Sequence, residues 1–416
     1  MPARRLGLVL ALSCAPLCAD VPGLDGGYAK LRWLGSSYPH DSIFAEAWGD
    51  TGQDQGADLR LKFSASRQRL ALHADYQLIG QFGDSQELPA QVQGLLLTPP
   101  PVPTDQRRWW DLTHKISDND DRTIVQRLDR LHVKYTGNKT VLRFGRQAVT
   151  WGNGLIYTPM DFFNPFDPAA VDTEYKTGDD MLYGQYLLDS GSDWQFVSVQ
   201  RRDEQDNVSS QVSSNALKYH GFGLEHEFDV LLAEHFDQFI VGLGGLANLG
   251  DAVLRGDVTF TDARDGWETS LVASWSYSWV WGGRNVSAVS EYFYNGFGLE
   301  ESDYTPEKIR ADKDLVDRLA RGELFTIGRH YLAGSLLVEL TPLVNITPNL
   351  FINLGDGSAL VQLVLQWDLA QNWQLLGSLN APVGSSGTEY GGLETGLDDL
   401  TTEVGPSLFA QLAWYF

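Results

Sequence analysis

Between Trp267 and Trp281 the chain alternates with a period of two. Trp267, Leu271, Ala273, Trp275, Tyr277, Trp279 and Trp281 fall on one side, and Glu268, Ser270, Ser274, Ser276 and Ser278 fall on the other. Successive side chains of a strand point to opposite faces, so this is a strand with one aromatic and one hydroxylic face. The pattern recurs elsewhere. Val361, Leu363, Leu365, Trp367 and Leu369 oppose Gln362, Gln366 and Asp368, and beyond Ala370 to Asn372 it returns as Trp373, Leu375 and Leu379 against Gln374, Ser378 and Asn380. A second hairpin pairs Leu59, Leu61 and Phe63 with Leu70, Leu72, Ala74, Tyr76 and Leu78, and its other face carries Arg60, Lys62, Ser64, His73, Asp75 and Gln77.

Alternation alone fits either a soluble sandwich or a membrane barrel, and two features separate them. Aromatic residues gather near strand ends, at Trp267, Trp279, Trp281, Trp367, Trp373 and Trp414, where a membrane barrel needs interfacial girdles. Connections also come in two sizes. Tight turns fall near Ser66 to Gln68, Gly137 to Asn138, Gly282 to Gly283 and Ala370 to Asn372; long loops run over Gly80 to Thr123, Thr150 to Asp179, Asn295 to Phe325 and Pro382 to Val404. Compact soluble domains carry few loops of that length. Outer-membrane barrels combine short periplasmic turns with long extracellular loops.

The ends of the chain agree with this reading. Arg4 and Arg5 precede the apolar run Leu6 to Leu12 and a small-residue exit at Ala19, the pattern of a signal peptide over residues 1–19 with a barrel over 20–416. Both cysteines, Cys14 and Cys18, lie in that signal, so the mature chain has no disulfide framework. No later stretch reaches the ~18 apolar residues of a membrane helix, so a membrane-bound form has to close its strands into a barrel. Losing Arg4 and Arg5 takes the 31 basic residues to 29 against 54 acidic ones, a balance that offers nothing to nucleic acid.

At the other end, Leu408, Ala410, Leu412, Trp414 and the terminal Phe416 occupy every second position. This resembles the assembly signal of outer-membrane barrels, a last amphipathic strand ending in phenylalanine that the insertion machinery reads. The expected fold is all-β, a single transmembrane antiparallel β-barrel of roughly 16–18 strands with long extracellular loops. Its expected partners are outer-membrane lipid, lipopolysaccharide and the barrel-assembly machinery. One crossing between Asp203 and Trp281 is missing or surplus in this count, and suspicion falls on the glycine-rich stretch Gly242 to Gly250.

The segment Arg143-Phe144-Gly145-Arg146-Gln147, continuing through Trp151-Gly152-Asn153-Gly154 to Asn164-Pro165-Phe166-Asp167-Pro168, resembles outer-membrane barrels of the alginate-export type, and Glu291 to Gly298 resembles a second shared block. The resemblance implies a channel of about this strand number and leaves the solute open.

Read from the residues, Arg143 alternates with Leu142 and Phe144, and Arg60, Lys62, His73, Asp75, Arg130, His132 and Lys134 are placed likewise. A basic side chain facing lipid near the midplane costs ~2–4 kcal/mol, which assigns these residues to the lumen. There they either set anion preference or brace the wall against Asp75, Asp129 or Glu291. The loop from Trp151 to Asp180 carries Phe162, Phe163, Asn164, Phe166 and Asp167. Leaving those rings in water is costly, so the loop is expected to enter the mouth or lumen and narrow it, the alternative being that it packs on other loops outside. Pro306 to Arg321 mixes charges in the manner of a short surface helix.

The leading function is passage of a small or polymeric solute, anionic ones included, through the lumen. An adhesin or scaffold barrel is the alternative, and a barrel-embedded hydrolase a more distant one. None of the eight histidines sits in a nucleophile-elbow or zinc-spacing motif, although His226 and His235 lie near Glu225, Glu227 and Glu234, where a metal cluster is conceivable. No catalytic residue, cofactor or metal is expected.

Overall fold

The computed structural model describes residues 23–87, 102–119, 121–223, 226–300, 304–397 and 400–416; the expected signal peptide lies outside them. The strands in chain order are β1 (Leu24–Ser37), β2 (Thr51–Arg67), β3 (Leu70–Gly83), β4 (Thr113–Asn119), β5 (Arg122–Thr136) and β6 (Thr140–Gln147). Next come β7 (Asp179–Leu187), β8 (Asp193–Val199), β9 (Ser214–Gly223), β10 (His226–His235), β11 (Gln238–Leu249), β12 (Ala252–Ala263) and β13 (Gly266–Trp281). The last are β14 (Arg284–Tyr294), β15 (His330–Thr341), β16 (Val344–Asn353), β17 (Ala359–Ala370), β18 (Trp373–Val383) and β19 (Ser407–Tyr415).

Neighbours pair antiparallel around a full circle, and β1 closes on β19 from Tyr28↔Tyr415 to Ser36↔Ser407. The short β4 pairs only with the outer half of β5, while β3 pairs with β5 directly, so the closed barrel has 18 strands. At the seam Gly27 N donates to the Phe416 carbonyl at 2.9 Å and Phe416 N donates back to Gly27 O at 3.1 Å. A side chain at Gly27 would run into the backbone carbonyl of Arg60 on β2 and begin 2.9 Å from Phe416 Cζ, so the residue facing the terminal ring has to be glycine.

The two faces of the sheet differ as the alternation requires. On β13 Trp267 and Trp275 are 58% and 40% exposed while Ser270 and Ser274 are buried. Leu72, Val133, Leu142, Phe144, Trp194, Phe239, Leu363 and Leu408 are likewise exposed, which gives the barrel an apolar exterior. Tight turns, such as those between β5 and β6 and between β13 and β14, share one end with Phe416; the long connections emerge at the other. By the usual asymmetry the first end is periplasmic.

The unaccounted crossing is a hairpin. Strands β10 and β11 are joined by only Phe236 and Asp237, both at positive φ (49° and 61°), a two-residue turn whose twist matches its strands. The glycine-rich stretch is β11 itself.

Candidate functional site

The connection from β6 to β7, residues 148–178, does not stand outside the barrel. Its backbone and side chains are bonded to luminal side chains around most of the wall. Glu291 on β14 accepts from Leu155 N at 2.9 Å, Ile156 N at 3.1 Å and Tyr157 N at 2.5 Å. Asp257 on β12 accepts from Asn153 N at 2.6 Å, Asn153 Nδ2 at 2.8 Å and Gly154 N at 3.2 Å. Trp151 Nε1 donates to Gln195 on β8 at 2.8 Å. Across the lumen Gln362 on β17 donates to Ala169 O at 2.9 Å. Asp172 accepts from Lys30 Nζ on β1 at 2.7 Å and from Gln411 Nε2 on β19 at 2.9 Å; Glu174 accepts from Tyr415 Oη at 2.9 Å.

A loop without regular structure leaves backbone N–H groups unpaired, and burying them is costly. Here wall carboxylates satisfy them. Around these anchors Trp151, Met160, Phe162 and Phe163 form one buried cluster with Met181, Val197, Leu231 and Ile240, and Tyr157 stacks on Phe293 at 4.7 Å in a second. The glycines of β11 make the space. A side chain at Gly244 would begin 2.7 Å from Asn153 Nδ2 and 3.1 Å from Met160 Sδ, and one at Gly242 would lie 3.3 Å from Met160 Cε. Asn164, at φ 54°, holds a left-handed position that suits asparagine and donates to Asp179 at 3.1 Å. Phe166 faces a cavity shared with Phe297 and Leu324, and Asp167 is exposed, its carboxylate accepting from Ala169 N at 2.8 Å.

The basic residues expected in the lumen divide into two sets. Arg60 is buried and bonded to Asp129 at 2.8 Å and Asp75 at 3.3 Å; Arg130 is bonded to Asp129 at 2.7 Å and to the loop carbonyl of Lys176. The Asp129 carboxylate is centred among three cations, Arg127 being the third at 3.2 Å. These residues brace the wall. By contrast Lys62, Lys134 and Arg143 have no carboxylate within 4.0 Å among the described residues. Lys62 lies over the Tyr175 ring at 4.7 Å, Arg143 over Tyr183 at 4.0 Å, and Lys134 pairs in register with Arg143. His73 and His132 stack with ring centroids 5.0 Å apart.

Several segments singled out in the sequence take roles that their local pattern does not announce. Arg146 is fully buried and clamps the rim through Asp180 at 2.8 Å, Asp105 at 2.8 Å and Trp110 O at 2.6 Å. The preceding Gly145, at φ 127°, brings the strand against His132 closely enough that no side chain fits. After a first short helix, α1 (Ile43–Trp48), Pro306 to Arg321 forms two more, α2 (Pro306–Ala311) and α3 (Lys313–Arg321), and they are not a free surface element: Ile309, Leu315, Arg318 and Leu319 are buried.

A serine, a histidine and a glutamate also meet. Ser214 Oγ lies 2.7 Å from His235 Nδ1, and His235 Nε2 lies 2.9 Å from Glu323. Ser214 also accepts from Arg201 Nη1 at 2.6 Å, and neither Ser214 nor His235 is exposed at all. A nucleophile sealed under arginine has no route to a substrate, so this relay ties the loop carrying α3 to the rim. His226 stands at the opposite end of β10 from His235, ~30 Å away at the rise of a strand, so the two cannot share a metal. Among the described residues no three metal-binding side chains come together.

No protein-family model matches the chain, and no curated protein sequence matches it. Solved structures do. Wzi of Escherichia coli, described as an outer membrane protein involved in group 1 capsule assembly and a carbohydrate-binding β-barrel, is similar over 94% of this chain and 85% of its own, with a TM-score of 0.53 and 10% identity. OccAB4 of Acinetobacter baumannii gives 0.52 at 9% identity, over 94% and 97% of the two chains. OccAB3 of the same organism gives 0.50 at 11% identity, over 94% and 98%. At such identities the likeness is one of fold. With the closed sheet and the apolar exterior, the chain is an 18-stranded β-barrel of the outer membrane.

Proposed function

We propose that the barrel is a channel whose lumen is narrowed by residues 148–178 and favours small anions. The observation that carries this is that, among the described residues, no carboxylate lies within 4.0 Å of Lys62, Lys134 or Arg143, whereas Arg60, Arg127 and Arg130 on the same side of the barrel are neutralised by Asp129. Fixed positive charge in a narrow passage favours anions although the whole chain is acidic, because loop carboxylates beyond a Debye length of ~8 Å are screened. Trp151, Phe162 and Phe163 form the constriction, and Leu408, Ala410, Leu412, Trp414 and Phe416 offer the lipid-facing strand to the barrel-assembly machinery. Reversal potential in a salt gradient tests the reading: anion preference is expected, and cation preference refutes it.

The anchoring of the inserted loop around the wall favours a second reading, a plugged scaffold barrel. Reconstituted protein that conducts no ions would support that one.

A further inference from the structure

At the edge of the Tyr157 and Phe293 cluster, against which Ala169 and Leu360 pack, a cavity of roughly 440 Å³ lies between residues 169–172 of the inserted loop and strands β1, β17, β18 and β19. That is within the ~300–1,000 Å³ of small-molecule pockets. Its charged lining consists of one residue of each sign, Arg32 and Asp172, and the aspartate is already held by Lys30 and Gln411. The remaining polar lining, Gln362, Ser378, Asn380 and Ser407, is uncharged, and all but Ser378 belong to one register row that Asn349 extends beyond the cavity. Asn349 pairs with Gln362, Gln362 with Asn380, and Asn380 with Ser407, one position on each of four successive strands.

The hydrogen bonds along this row run in one direction. Asn349 Nδ2 donates to Gln362 Oε1 at 2.9 Å; Gln362 Nε2 donates to Asn380 Oδ1 at 3.0 Å and to Ala169 O at 2.9 Å. Asn380 Nδ2 donates to Ser378 Oγ and to Ser407 Oγ, each at 3.2 Å. Both amide groups of Gln362 and Asn380 thus spend their N–H donors on the row, on Ser378 and on the loop carbonyl of Ala169. What remains are the second lone pairs of their carbonyls and the O–H donors of Ser378 and Ser407, acceptors and donors side by side. Leu34, Leu360 and Phe409 supply an apolar floor.

We propose that this cavity is a subsite for a neutral polyhydroxylated solute of monosaccharide or polyol size. Hydroxyl groups both donate and accept, which matches the mixed row; a cation would find no free carboxylate there, and the single guanidinium, Arg32, interacts with Asp58 of the neighbouring strand β2. The inference requires that solute enters the lumen, but it does not rest on anion preference.

The test uses the full-length protein in planar bilayers with glucose and mannitol as probes, and equilibrium dialysis of labelled glucose against the detergent-solubilised protein. Saturable glucose block and saturable binding are expected. In Asn380→Leu with Ser407→Ala the half-saturating concentration should rise about tenfold, the scale of one lost hydrogen bond, with the reversal potential unchanged. Lys134→Gln with Arg143→Gln should do the reverse, shifting the reversal potential and sparing the block. Ser407→Val, checked for heat-modifiable folding, serves if the double variant fails to assemble. No block and no binding by either neutral probe, binding confined to glucuronate, or binding unaffected in folded row variants would each overturn the proposal while leaving the anion reading to its own measurement.

Discussion

Two stretches of the same wall treat charge in opposite ways. From β10 to β14 the luminal charges are mainly carboxylates, Asp229, Asp257 and Glu291, and the last two are spent on backbone N–H groups of the inserted loop. From β2 to β6 they are mainly cations, of which Arg60 and Arg130 are spent on Asp129 while Lys134 and Arg143 are not. The difference teaches that a charged residue in a lumen has to be read by what it is bonded to. A carboxylate bonded to loop amides is an anchor, and a cation without an anion is a field.

The most disruptive way to break this comparison is to remove an anchor. In Glu291→Ala three loop N–H groups lose their acceptor, and each unpaired donor costs ~1–3 kcal/mol unless water reaches it. The loop should leave the lumen and single-channel conductance should rise several-fold; unchanged conductance would mean that the buried clusters alone hold it. Next in size is Arg60→Met, which removes one member of a buried ion group at a cost of about 3–5 kcal/mol and should lower the temperature at which the folded band is lost on heating. Lys134→Gln with Arg143→Gln should cost only about 1–2 kcal/mol, the scale of the lost Arg143 stacking on Tyr183, and yet move the reversal potential toward cations, which separates field from brace.

The smallest expected effect is on pH. In the loop between β18 and β19, burial pushes the Glu389 carboxyl up to about 7, although Tyr331 Oη at 2.6 Å, Ile327 N at 3.1 Å and Asn353 Nδ2 at 2.8 Å donate to it. The folded loops therefore keep a proton that the released chain gives up near 4.5. Their mutual packing should be firmest below that pH, weaken as pH rises to about 7, and change little beyond. Loop proteolysis at pH 5 and pH 8 would read this, and Glu389→Gln should abolish the difference.

How much of this was legible follows from period. Strands such as β13, β17 and β18 announce themselves because lipid outside and polar lumen inside force strict alternation. Strand β11 does not, because its glycines answer to the loop lying on them and not to lipid. The rings of Phe162 and Phe163 declared that their loop needed cover, whereas the partners of Arg146 and His235 come from Asp105 and Glu323, far along the chain, and no local pattern could join them. Spacing put Arg60 and Lys134 on one face. The structure adds that Asp129 neutralises the first and that, among the described residues, no carboxylate neutralises the second.

The inserted loop also acts on the seam. Asp172 holds Lys30 of the first strand and Gln411 of the last, and Glu174 holds Lys30 and Tyr415. The two strands that must find each other to finish the barrel are thus tied by a crosspiece from the middle of the chain as well as by their own ladder. Fastened in that way, the join between the chain's two ends is reinforced from within, and a barrel stripped of its loop should first open along that line.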